Sequence, residues 1–150
     1  DFQNRTIPWD VPFEKGTLKA VAKNDGKQVA EYELKTTGVP VKIVATCNEK
    51  LIKAGGNHLA HIFVTLCDEA GNTVYSAENE ITCDMNGPVR LSGMEDSNPS
   101  NTGNYKDNKQ NAYHGKLLIY LQSTDKPGTV RIKLTSPGME ACNLELNVAE

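Results

Sequence analysis

Long apolar runs are missing from this sequence. The longest, Leu117-Leu118-Ile119-Tyr120-Leu121, falls far short of the roughly 18 residues a membrane-spanning helix needs. No stretch holds a 3.6-residue period, so little helix is expected. Strong charge of either sign is missing too: 16 basic against 19 acidic residues leave a net charge of −3. That balance argues against a nucleic-acid partner or an anionic membrane surface. The four cysteines, Cys47, Cys67, Cys83 and Cys142, contain no C-x-x-C pair, which removes the usual zinc spacing. No G-x-S-x-G, H-E-x-x-H, G-x-G-x-x-G or phosphate-loop pattern occurs. The 150 residues are also too few for a complete (β/α)₈ barrel, which takes about 250. The first residues, Asp1-Phe2-Gln3-Asn4-Arg5, show neither an initiator Met nor a signal-peptide pattern, and read as the interior of something longer.

What is present is a two-residue beat. In Thr17–Lys23, residues 18, 20 and 22 are apolar while 19 and 23 are charged; Ala30, Tyr32 and Leu34 then alternate with Glu31, Glu33 and Lys35. Between these runs stands Asp25-Gly26, the strongest short-range hairpin signal, because the tight turn requires positive φ. Residues 17–36 are therefore expected to form a β-hairpin, followed by a linker at Thr36–Pro40. Further strands are expected at about 41–47, 59–67, 79–85, 89–94, 116–123, 128–135 and 141–148, separated by turn-forming residues. Seven short strands at this spacing point to an all-β, immunoglobulin-like β-sandwich over residues 39–150. Residues 1–38 are expected to be a β-hairpin fragment of a second sandwich. An isolated hairpin is marginal in water, so its Leu18/Ala20/Ala22 face should be an uncovered apolar strip.

Candidate chemistry is sparse. Strand parity places Cys47, Cys83 and Cys142 on core-facing sides, where a free thiol behaves as a small hydrophobe; two disulfides, with three possible connectivities, are the alternative. His58 and His61 stand three apart, on opposite faces of a strand, so no metal site is expected. The carboxylates Glu31, Glu33, Glu78, Glu80, Glu95 and Asp96 lie on outer faces or in polar loops, with no sign of the desolvated pair a glycosidase needs. No catalytic residue and no cofactor are expected. Trp9 beside Asp10 could stack on a sugar ring and hydrogen-bond its hydroxyls; the competing reading packs Trp9 and Phe13 inward at a Pro-fixed corner. The polar segment Glu95–His114 is long for a loop in a compact domain. It reads as an inter-sheet crossover pinned by Tyr105 and Tyr113, or as a sugar-contacting loop presenting them. The tripeptide Asn4-Arg5-Thr6 is a single weak glycosylation match.

Two stretches resemble one family. Trp9-Asp10-Val11-Pro12-Phe13-Glu14-Lys15-Gly16-Thr17-Leu18-Lys19-Ala20-Val21-Ala22 is similar to a sandwich-domain corner near the C-terminus of β-galactosidase-like members of glycoside hydrolase family 2. Gly87-Pro88-Val89-Arg90-Leu91-Ser92-Gly93-Met94, continuing through Asn98-Pro99 to Ala112-Tyr113-His114-Gly115, resembles the last immunoglobulin-like domain of the same enzymes. The family's Asn-Gly-Asp loop is here Asp96-Ser97-Asn98. The resemblance implies a non-catalytic accessory fragment whose partners are the upstream domains of its own polypeptide, because the family's catalytic glutamates lie in a barrel domain upstream. It also implies export to the periplasm or cell exterior and a role in carbohydrate metabolism. A carbohydrate-binding module using Trp9, Asp10, Tyr105 or Tyr113, or an adhesin-type spacer, would be the alternative.

Overall fold

The computed structural model describes residues 7–49 and 51–150; the Asn4-Arg5-Thr6 match lies outside them. The chain forms two compact units, dividing between Thr36 and Thr37.

The first unit is an extended arm followed by one hairpin, β1 (Thr17–Asn24) and β2 (Lys27–Lys35). Asp25 (φ 48°) and Gly26 (φ 77°) both take the left-handed conformation that a two-residue type I′ turn requires. Register pairs Leu18 with Leu34, Ala20 with Tyr32 and Ala22 with Ala30 on one face; Lys19 opposite Glu33 and Val21 opposite Glu31 form the other. On that second face Lys19 Nζ lies 2.9 Å from Glu31 and 3.4 Å from Glu33. The apolar face is bare, as the alternation requires: Leu18, Leu34 and Tyr32 are all exposed.

The second unit is a sandwich of two sheets. One sheet has the order β4-β11-β10-β6-β8, built from Ile52–Lys53, Cys142–Ala149, Gly128–Thr135, Glu80–Asn86 and Lys109–Asn111. The other has the order β3-β5-β9-β7, built from Lys42–Cys47, Leu59–Cys67, Lys116–Ser123 and Val89–Glu95. Neighbours are antiparallel except β4 with β11. The seven expected strands form at or within one residue of the expected bounds; β4 and β8 are additional.

Inward residues of both sheets make one core. Ile62, Val64, Leu66, Ile119, Leu121, Ile81, Val130, Ile132 and Leu134 are all essentially inaccessible to solvent. Burial of such side chains contributes about 1.5–3 kcal/mol each relative to exposure, which is what holds the two layers together. The 95–114 segment is an inter-sheet crossover. It leaves β7 in one sheet, adds β8 to the other alongside β6, and returns to the first as β9.

Candidate functional site

The four side chains singled out for sugar contact fall in different units: Trp9 and Asp10 in the first, Tyr105 and Tyr113 in the second. The inward-packing corner does not form. Trp9 is 68% and Phe13 82% exposed, because the arm and hairpin of this unit have no second layer for them to enter. Phe13, with Val11, Pro12, Leu18 and Leu34, lines an open hollow of about 550 Å³; Trp9 and Asp10 lie outside it.

In the second unit the crossover holds itself rigidly through its own side chains. Asp96 is buried, and its two carboxylate oxygens accept from the Asn98 backbone N–H (2.9 Å) and from Asn101 Nδ2 (3.0 Å). Asn98, Asn101 and Asn104 each accept from a backbone N–H two residues onward, at 3.0, 2.8 and 3.2 Å. These are Asx turns, the local alternative to sheet hydrogen bonding that Asn and Asp offer. The Tyr105 carbonyl accepts the Met94 N–H at 2.7 Å, fastening the loop to β7. Two shallow hollows of about 300 and 280 Å³ flank this loop. Tyr105 lines the first and Tyr113 the second, and both hollows share Asp96, Asn98, Asn101 and Gln110. Asp96 is thus a structural fastening. Tyr113 is half-buried, its ring 4.1 Å from that of His114.

The thiols are poor nucleophiles. Burial, reinforced by Asp84, pushes Cys83 up to about 12, and burial also raises Cys67, Cys47 and Cys142. All four are free. For one pair the register shows why: Cys83 and Cys142 both pair with Leu134, one on each side of it, so a strand separates them. Two strand spacings, roughly 10 Å, exceed the reach of a disulfide. Asp68 is a second buried carboxylate. Hydrogen bonds from Gly38 N–H (3.1 Å) and Asn72 N–H (2.8 Å) hold its carboxyl below the usual range. Among the described residues, no group of three or more His, Cys, Asp or Glu side chains converges in a way that could hold a metal ion.

A surface the sequence reading missed lies on the outer face of β3-β5-β9-β7. His61 and Tyr120, register partners on β5 and β9, meet edge to face with centroids 5.2 Å apart. Tyr120 pairs across to Gly93 of β7, and a Cβ on Gly93 would lie 3.2 Å from Tyr105 Cδ2, so the Tyr105 ring rests over that glycine. Beside this aromatic row stand Phe63, 52% exposed, and its partner Leu118. The Tyr120 hydroxyl donates to Glu95 Oε2 at 3.2 Å; partial burial and then this carboxylate raise the phenol above its ordinary value.

Comparison with known proteins agrees with this architecture. The family model "Glycoside hydrolase family 2 C-terminal domain 5" matches residues 43–145, and a domain of unknown function, DUF4982, matches residues 1–30. A β-galactosidase of Bacteroides ovatus, BoGH2A, is 34% identical over the whole chain, which spans 18% of that protein's length. Among solved structures, a glycosyl hydrolase family 2 member from Bacteroides cellulosilyticus superposes with a TM-score of 0.91 at 25% identity, covering 95% of this chain and 18% of its own. A β-glycosidase from Bacteroides vulgatus gives 0.88 at 26% identity, covering 93% and 18%.

Proposed function

Since this chain belongs to the glycoside hydrolase family 2 C-terminal domain 5 family, we propose that it is the non-catalytic C-terminal part of a β-galactosidase-like glycoside hydrolase acting in carbohydrate metabolism outside the cytoplasm. The observation that carries this reading is the full-length match to the Bacteroides ovatus β-galactosidase, of which the chain corresponds to 18%. The work of such a part is architectural. Its buried carboxylates, Asp96 and Asp68, fasten loops, and its thiols are suppressed by burial.

The bare hairpin fits the same reading. Its Leu18/Leu34, Ala20/Tyr32 and Ala22/Ala30 pairs would be covered by strands of a preceding domain, since a two-stranded sheet needs a further layer for stability. The test is direct. The 150-residue chain should hydrolyse no aryl β-galactoside, while the full reading frame should; an inactive full-length protein, or turnover that tracks the purified fragment, would overturn the assignment. A second reading rests on the 68% exposure of Trp9 next to Asp10, an arrangement suited to stacking on a sugar. Quenching of Trp9 fluorescence by galactosides that saturates, and that Trp9→Ala abolishes, would support it.

A further inference from the structure

The two outer faces of the sandwich are dressed differently. On β4-β11-β10-β6-β8 the outward rows are Asp84-Lys133-Asn143 and Asn86-Arg131-Glu145, with Arg131 paired to Glu145 at 3.3 Å. That is a solvated surface, and β10 and β11 alternate strictly, apolar inward and polar outward. On β3-β5-β9-β7 the outward positions include Val44, Phe63, Leu118, Tyr120 and the Tyr105 ring over Gly93. Consequently β5 (LAHIFVTLC) is apolar but for His61 and Thr65, and Leu117–Leu121 of β9 is a continuous apolar run. Strands buried on both faces have this composition. The patch sits on the two central strands and is rimmed by Glu95, Arg90, Gln122, Asn48, Lys42 and Lys116, the arrangement of an interface: aromatic and aliphatic centre, polar border.

We propose that this face is where the sandwich docks on another domain of its own polypeptide. The inference rests on the functional reading above and names the surface that reading leaves open. The occupant follows from length: more than four-fifths of the Bacteroides ovatus relative, and of both solved structures, lies outside the matched segment. A covalently tethered neighbour needs no high intrinsic affinity, because tethering supplies a large effective concentration. The docking element presents an apolar side chain to Phe63 and Leu118 and a hydrogen-bond donor to Glu95, whose Oε2 already accepts from Tyr120. Phe63 anchors the centre, as interface hot spots do.

Hydroxyl-radical footprinting read by mass spectrometry tests this on the 150-residue chain and on the full-length polypeptide, with acetylation of Lys133 on the charged face as reference. Phe63 should label readily in the short chain and about tenfold more slowly in the long one, the contrast between a half-exposed ring and one desolvated at an interface centre, with Lys133 unchanged. Equal labelling of Phe63 in both overturns the proposal. So does protection that appears in the short chain at high concentration, which would mark a second copy, or on addition of a galacto-oligosaccharide, which would mark a sugar site. Activity measured on the same full-length sample separates the two claims. An inactive but protected protein refutes the enzymatic reading alone; an active, unprotected one refutes the docking face alone. Phe63→Ser provides a second measurement: the short chain should keep its Tm, and full-length protein should release the sandwich to protease sooner.

Discussion

Gly115 offers the sharpest test of how this sandwich is closed. It takes φ +69° in the turn leading into β9; its N–H donates to Ala77 O at 2.9 Å, and its carbonyl accepts the Leu66 N–H at 2.8 Å. A Cβ at this position would lie 2.4 Å from Val74 O, a backbone atom locked by the Val74 N–H to Leu66 O bond, so it cannot step aside. Gly115→Ala therefore carries two costs. The left-handed conformation costs a Cβ-bearing residue about 1–2 kcal/mol, and forcing extra volume into a packed site costs about 1–3 kcal/mol more. The sum, roughly 2–5 kcal/mol, is a large share of the roughly 6–17 kcal/mol expected for a unit of this size at about 0.05–0.15 kcal/mol per residue. At about 4 °C per kcal/mol the Tm should fall by roughly 8–20 °C. Gly138 supplies the control: its φ is +76°, but nothing lies within 4 Å of its would-be Cβ. Gly138→Ala should cost only the conformational part, about 1–2 kcal/mol or roughly 4–8 °C. Scanning calorimetry is the assay, since the single tryptophan, Trp9, is not part of the sandwich unit. Equal Tm shifts for the two variants would refute the steric argument.

Two further outcomes follow from the buried polar groups. In denaturant without reductant, all four cysteines should take up iodoacetamide, as expected of free thiols; under native conditions Cys83 should be the slowest, its thiolate suppressed to about 12. A mass showing no label after denaturation would mean two disulfides and would overturn the free-thiol assignment. Asp68 has its folded pKa lowered, so its contribution to stability is fully present above the unfolded carboxylate value and is lost as pH falls through the folded one. Asp68→Asn should therefore lower Tm at neutral pH and flatten its fall on acidification; parallel curves for the two proteins would refute this role.

The strands were legible wherever one face meets the core and the other meets water. In β10, Val130, Ile132 and Leu134 alternate with Arg131 and Lys133, and the period alone fixes both the strand and its orientation. The hairpin was legible for a different reason: Asp25-Gly26 leaves the backbone one tight turn to make. What escaped was short or nonlocal. Ile52–Lys53 gains strand character only from parallel pairing with Val148 and Ala149, about a hundred residues away, and Lys109–Asn111 is a polar edge with no apolar beat. Trp9 and Phe13 stand exposed because an inward corner presupposes a core, and their unit has one layer. The outer patch around Phe63 had a signal in the apolar run Leu117–Leu121 of β9. That signal was used only to exclude a membrane span, when it also pointed to burial on two sides.

The glycines of the second family-like stretch, residues 87–115, are sites of close approach. A Cβ on Gly87 would lie 2.5 Å from Thr129 O; one on Gly93 would press on the Tyr105 ring at 3.2 Å; one on Gly115 would strike Val74 O. Each position lets one layer or loop approach another more closely than any side chain permits, and none belongs to a group of reactive atoms. Ala112 in the same run is buried, its N–H donating to Asn79 O at 3.0 Å. A signature of this kind is specific for an architecture, because the required spacing is set by backbone meeting backbone. It is silent about ligands, whose contacts would lie on outward side chains. That is why such a sequence can declare its family while leaving its docking face to be found by comparing the two sides of the sandwich.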